Sequence, residues 1–321
     1  MRGTDWKYHA TIMKNILHFI KRVLVFVLAF AVVVVFALRV SGLICRKGRL
    51  GTSHEKHALL AATPSPKVVL VGGSNLHYGI NSRMLQDSLG LPVVNMGLQH
   101  SLGLRYLFDE VRESLHSGDV LMLLLEPYAY IGMPVEGRTN IARIASIRPK
   151  NIRHFNLQHW YNAAMYSGTA LIQNYRDGQV TITKKLRGKK TFGENCDEFG
   201  DYHGHKGLLS KYKRSEKRDL SDEKLFNNDI LSIIQEIQTF IQQNDIQLVI
   251  SFSPSAESMS DSLVFSRIQA ELPAEIVVGN MADYIFPDSF FYDSPDHLIY
   301  SKRDMRTRML LRDLRPIMLK W

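Results

Sequence analysis

The stretch Lys67–Gly79, KVVLVGGSNLHYG, decides the fold. Its apolar run, Lys67–Val71, reads as a buried β-like strand. The run ends abruptly on Gly72, Gly73 and Ser74, and a strand that stops at such a turn before a helix opens a βα unit. Two readings of Ser74 follow. Either it caps the next helix, as serine often does, or the turn presents it as an exposed, activated nucleophile.

Outward from this turn, strand and helix signals alternate. Ile80–Gly90 reads as a short helix closed by glycine, and Pro92–Gly97 (PVVNMG) as a second strand. Leu102–Asp119 carries helical periodicity, and Val120–Tyr128 (VLMLLLEPY) is a third strand. The alternation resumes with a helix over Phe226–Gln243, a strand over Ile246–Ser255, a helix over Asp261–Glu271, a short strand over Ala274–Asn280 and a basic helix over Arg303–Leu314. The expectation is an α/β fold with a mainly parallel sheet covered on both faces, a three-layer α/β/α sandwich. Sites in such sheets form where loops leave the carboxyl ends of strands. Ser74, Gly97, Glu126 and Ser253 all fall there. Between about 133 and 222 the pattern lapses, which marks an insertion. It holds two basic runs, Lys184–Lys190 and Lys211–Arg218, and the polar cluster FGENCDEFGDYHGH, Phe192–His205.

The N-terminus carries a different signal. Val23–Leu38 holds no charged residue, and the apolar character continues past Arg39 to Cys45. Val23–Cys45 is therefore expected to be a single transmembrane anchor, with residues 1–22 a short tail, 46–66 a polar linker and 67–321 the α/β domain. No small-x-small cleavage site follows the apolar run. Lysines and arginines flank it on both sides, so charge casts no vote on orientation. The whole chain of 321 residues is 45% hydrophobic and 22% charged, which excludes global disorder. Its formal charge of +9 favours anionic partners without choosing among them. Two cysteines, Cys45 and Cys196, leave no room for a disulfide framework.

For chemistry, a serine nucleophile requires a base and a group that orients the base. Phe290–Leu310 supplies His297 with Asp293 and Asp296 close by, just before the last helix. Asp201, His203 and His205 read first as a turn-rich surface loop, and second as a lip of a substrate pocket. Their spacing matches no zinc signature. GGSNLHYG has neither the Lys-Ser/Thr ending of a phosphate-binding loop nor a dinucleotide fingerprint. The basic runs lack the aromatic interleaving of a nucleic-acid surface, so no nucleic-acid partner is expected.

VVLVGGSN, VVNMGLQHSLGLR and YDSPDHL, in that order, resemble the SGNH, or GDSL-like, hydrolase and acyltransferase superfamily. More narrowly they resemble its membrane-anchored bacterial members associated with cell-envelope polysaccharide. The resemblance covers about Lys67–Tyr128 and Ile246–Leu314. It implies a flavodoxin-like SGNH fold, Ser74 as nucleophile, and His297 as general base oriented by Asp293, with Asp296 as the alternative. It implies an oxyanion hole drawn from Ser74, Gly97, Asn95 and Asn75. Glu126, Asp201 and His203 are the candidate substrate contacts. Two departures stand out: Ser294 occupies the usual Asp position three residues before His297, and Glu126 stands where the family carries an Asn block. The implied activity is a serine esterase or O-acyltransferase for small acyl groups on a cell-envelope glycan. No metal or organic cofactor is implied. The partners would be a glycan or acyl-ester substrate, membrane lipid and, for transfer, a membrane-bound acyl-donor protein. The location would be the extracytoplasmic side of the bacterial inner membrane. The competing reading is a non-catalytic polysaccharide-binding or assembly protein on the same scaffold.

Overall fold

Continuous burial along four short strands builds the centre of the molecule. The computed structural model describes residues 5–131, 135–213 and 227–318. Helix α1 (Asp5–Ile44) precedes α2 (Ser53–Ala62), and β1 (Val68–Gly72) leads into α3 (Ser74–Gly79) and α4 (Ser82–Leu89). Then come β2 (Val93–Asn95), α5 (Leu104–Arg112), β3 (Val120–Leu125), α6 (Pro127–Tyr130), α7 (Thr139–Ile147), α8 (Leu157–Met165) and α9 (Ser167–Leu186). The chain closes with α10 (Asn228–Gln243), β4 (Gln247–Phe252), β5 (Ser255–Ala256), α11 (Ser262–Ala270), β6 (Ile285–Phe286) and α12 (Arg303–Met318).

Strands β2-β1-β3-β4 form a parallel sheet in that order, and β5-β6 a separate two-stranded pair. Val69, Val71, Leu121, Leu123 and Ile250 face one apolar cluster with the inner sides of α5 and α10. Val68, Leu70, Met122, Leu124 and Val249 face another with Leu85 of α4 and Leu310 and Leu314 of α12. Helices thus cover both faces, as continuous apolar strands require. The chain steps from β1 to β2 on one side and then to β3 on the other. That reversal opens a crevice at the carboxyl ends of β1 and β3, where Gly72 pairs with Leu124.

Three segments depart from expectation. Residues 46–66 are no loose linker. Two 3₁₀ turns and α2 bury Leu50, Thr52, Ser53, Lys56, His57 and Leu60 in the domain. The tail before Val23 is already helical from Asp5, because helix propagation needs only continuity and not an apolar sequence. Ala274–Asn280 forms a 3₁₀ turn, and only Val277 bridges to Ile250, too little chain for a ladder. The insertion is largely helical, with α7 and α9 packed against α1. The second basic run lies mostly outside the described residues.

Candidate active site

The turn after β1 is shaped by what stands behind it. Gly73 sits in extended backbone, and any Cβ there would overlap the Glu126 carboxylate. A side chain at this position would force the buried Glu126 carboxylate to move. Ser74 follows as the first residue of α3, its side chain facing a cleft of about 360 Å³ lined also by Arg49, Gln99, His100, Ser101, Asp293, Ser294 and His297.

His297 arrives from a tight turn pinned by an antiparallel bridge between Phe291 and Leu298 and by the Tyr292 N–H donating to the His297 carbonyl at 2.7 Å. Its Nε2 lies 2.8 Å from Ser74 Oγ, and its Nδ1 lies 2.7 Å from Asp293 Oδ1. The imidazole stacks on the Tyr78 ring with centroids 4.1 Å apart and planes 15° from parallel. Ser74 and His297 are both buried, which strengthens these interactions relative to water. Burial pushes the Asp293 carboxyl up. The hydrogen bond and charge of His297, with Arg49 nearby, outweigh burial and hold it below its ordinary value. Asp296 Oδ2 lies 3.8 Å from His297 Nε2, beyond hydrogen-bond range, and the Ser294 hydroxyl donates to its other oxygen. Of the two aspartates, Asp293 holds the ring.

The polar atoms named for an oxyanion hole are mostly occupied. The Gly97 N–H donates to Asn95 Oδ1 at 2.9 Å. Asn95 Nδ2 donates to the Leu76 carbonyl and to Asp201. Asn75 Nδ2 donates to the Leu124 carbonyl at 3.1 Å, and its Oδ1 accepts from the Arg306 guanidinium at 3.4 Å. These groups brace the turn instead of facing the cleft.

Glu126, Asp201 and His203 are likewise absent from the cleft lining. Glu126 is fully buried behind the Gly73–Ser74 turn, where Oε1 accepts the Asn75 N–H at 3.4 Å. Burial raises its carboxyl above the ordinary value, His100 opposes the rise, and Asp296 adds to it. Asp201, also buried, accepts from the Ser82 N–H at 2.8 Å, the Ser82 hydroxyl at 2.6 Å and Asn95 Nδ2 at 2.8 Å. It ties the insertion to the start of α4, where a carboxylate suits the helix dipole. His203 bridges Asp197 and the Tyr300 hydroxyl, each at 2.8 Å.

One group of side chains has the donor set of a metal centre. His100, Glu126 and Asp296 each offer a ligand atom, and these lie within 4.8 Å of one another. His100 Nδ1, Glu126 Oε2 and Asp296 Oδ2 have no hydrogen-bond partner among the described residues. A divalent cation would satisfy all three. Burial also raises the Glu126 carboxyl above its ordinary value, which favours its neutral form.

Besides Gln99, His100 and Ser101 of the cleft lining, two residues escaped the sequence reading. Arg49, in the segment expected to be linker, lines the cleft, donates to the Tyr78 hydroxyl at 3.3 Å and covers the Phe192 ring. Nothing local marks it out among the basic residues that follow the apolar run. Arg306 is the largest fully buried side chain, with a guanidinium reaching Asn75 and the carbonyls of Gly79 and Phe252. Its one sequence signal is an arginine on the apolar face of α12, four residues before Leu310.

Searches against protein-family models, curated proteins and solved structures found no match.

Proposed function

We propose that the protein is a membrane-anchored serine esterase or O-acyltransferase that moves a small acyl group on a cell-envelope polysaccharide or its precursor. The observation that carries this reading is the hydrogen-bonded chain Ser74 Oγ–His297–Asp293 at the mouth of the β1/β3 crevice. The envelope substrate and the extracytoplasmic side of a bacterial inner membrane come from the resemblance of the three motifs to the SGNH superfamily. They agree with α1, a helix long and apolar enough to cross a membrane.

The chemistry follows from the geometry. His297 Nε2 takes the Ser74 hydroxyl proton as Oγ attacks the ester carbonyl. The tetrahedral intermediate collapses to an acyl-Ser74, and Nε2 returns the proton to the leaving alkoxide. A sugar hydroxyl or water, deprotonated in turn by Nε2, then attacks the acyl carbon and releases Ser74. Asp293 keeps Nδ1 protonated and stabilises the imidazolium. Arg49 stands only five residues beyond the end of α1, so the cleft opens near the membrane surface. That position suits an acyl donor handed over by a transmembrane partner.

A second reading, a non-catalytic glycan-binding or assembly protein, is favoured by the internal bonds that occupy Gly97, Asn95 and Asn75. A fluorophosphonate probe on the detergent-solubilised full chain, scored by intact mass, separates the two. The proposal expects one adduct on the wild type and none on Ser74→Ala or His297→Ala. A folded wild type that takes no adduct and leaves acetyl esters untouched would establish the binding reading instead.

A further inference from the structure

Three polar atoms meet near the carboxyl end of the sheet without a bond to make. His100 opens the 3₁₀ turn His100–Leu102 after β2, Glu126 stands at the end of β3, and Asp296 lies in the turn that carries His297. His100 Nδ1, Glu126 Oε2 and Asp296 Oδ2 are all buried and have no hydrogen-bond partner among the described residues. Glu126 is 0% exposed and Asp296 4%. The ligand atoms of the three side chains lie within 4.8 Å of one another.

The other oxygen of each carboxyl group is already held. Glu126 Oε1 accepts the Asn75 N–H at 3.4 Å, and Asp296 Oδ1 accepts the Ser294 hydroxyl. Such bonds fix the rotation of a carboxylate and leave its second oxygen free, the part that outer-shell donors play around a metal ion. His100 is steadied through its neighbours, because Asn140 Nδ2 donates to Gln99 Oε1 at 2.7 Å and to Ser101 Oγ. Among the described residues neither carboxyl group pairs with a lysine or an arginine. The basic groups beside them are imidazoles, His100 Nδ1 at 4.0 Å from Glu126 and His297 Nε2 at 3.8 Å from Asp296. Elsewhere in the molecule such pairs close on themselves: His57 meets Glu110 at 2.7 Å and His203 meets Asp197 at 2.8 Å. A proton on Glu126 would supply one donor for one neighbouring atom, whereas a single ion serves all three.

We propose that His100, Glu126 and Asp296 bind a divalent transition-metal ion of the Zn²⁺ or Mn²⁺ type at the wall of the cleft that holds Ser74. One imidazole nitrogen with two carboxylate oxygens suits such ions better than Mg²⁺, which favours oxygen ligands and keeps several of its waters. Bonds of about 2.0–2.2 Å would draw the three atoms together from their present spacing. Three protein ligands leave a coordination position over, and His100 lines the cleft together with Ser74 and His297. That position is available to a water or to an oxygen of a bound molecule. The site departs from the resemblance, which implies no metal. It rests on the three unpartnered atoms and not on Ser74 acting as a nucleophile.

The test is a binding measurement on the untagged full chain in detergent, stripped with a chelator and then titrated with Zn²⁺ or Mn²⁺ against a chromophoric competitor. Metal per chain is counted by mass spectrometry after desalting. One Zn²⁺ per chain is expected, with a rise in unfolding temperature that follows the same titration. His100→Ala, at a partly exposed position, and the near-isosteric Asp296→Asn should each weaken binding by more than about a hundred-fold, beyond the usual loss from an outer-shell partner. His203→Ala, which removes an imidazole from a closed pair, should leave the affinity unchanged. A folded wild type that retains no ion overturns the site and leaves a protonated Glu126 as the occupant of that space. Binding that survives both His100→Ala and Asp296→Asn overturns it as well, because the ion is then held elsewhere. Displacement of Zn²⁺ by an equal concentration of Mg²⁺ overturns the assignment to a transition-metal ion.

Discussion

Two polar clusters lie side by side in this molecule and behave differently. The first is the cleft group of Ser74, His297 and Asp293; the second is the strut formed by Asp197, Asp201 and His203 in the insertion. Both combine carboxylates with histidine, and each has a buried centre, Ser74 with His297 in the first and Asp201 in the second. In the strut, hydrogen bonds are made inward. Asp201 takes three donors from Ser82 and Asn95, and His203 uses both ring nitrogens on Asp197 and Tyr300. In the cleft group the chain of bonds ends at a hydroxyl that borders open space. A network closed on itself supports the fold, whereas one that ends at a cleft has a proton to give to something else.

Breaking each cluster should therefore do different things. Ser74→Ala or His297→Ala is expected to abolish probe labelling and lower acyl transfer by about ten-thousand-fold, with thermal unfolding hardly changed. Equal losses of stability and activity would put Ser74 in the structural class with Asp201. Asp293→Asn should cost about ten-thousand-fold in kcat by leaving His297 in the wrong tautomer. Asp296→Asn should cost far less, and a reversed order in steady-state kinetics would exchange their roles.

Asp201→Ala leaves the Ser82 N–H and hydroxyl without their acceptor and the Asn95 amide with only the Leu76 carbonyl. A loss of about 3 kcal/mol in chemical denaturation is expected, with labelling at Ser74 retained in the molecules that stay folded. The smallest effect concerns Glu126. Its carboxyl is raised in the folded state, so the fold binds more protons than the unfolded chain above the ordinary value of 4.5, and stability falls as pH rises through that window. Glu126→Gln should remove that part of the decline. An unchanged pH profile would show that Glu126 is charged and neutralised by another group.

Lys56 gives the opposite slope at higher pH. Burial lowers its amine to about 8 while it donates to the Asn95 and Gly200 carbonyls. Stability should therefore rise with pH from about 8 towards the unfolded value of 10.5, since there the unfolded chain holds the extra proton. Lys56→Met should flatten that limb of the unfolding curve.

The amino-acid order alone determined the features that depend on neighbours along the chain. Continuous apolar runs marked β1, β3 and β4, because a strand covered on both faces has no polar side to show. The uncharged stretch after Arg22 marked the one helix among the described residues that is long and apolar enough to cross a membrane. Glycines after Val71 marked where β1 ends and Ser74 begins. Everything that depends on which groups face each other across the fold was decided by the tertiary structure. It put Asp293 and not Asp296 on His297, because four residues of turn bring that carboxylate back under the ring. It turned Gly97, Asn95 and Asn75 inward, and it filled the space behind Gly73 with Glu126. It also carried Arg49 from just beyond α1 into the cleft and Arg306 under the turn that holds Ser74. Hydrogen bonds of this kind link residues up to 231 positions apart, and no local pattern of polarity encodes such a pairing.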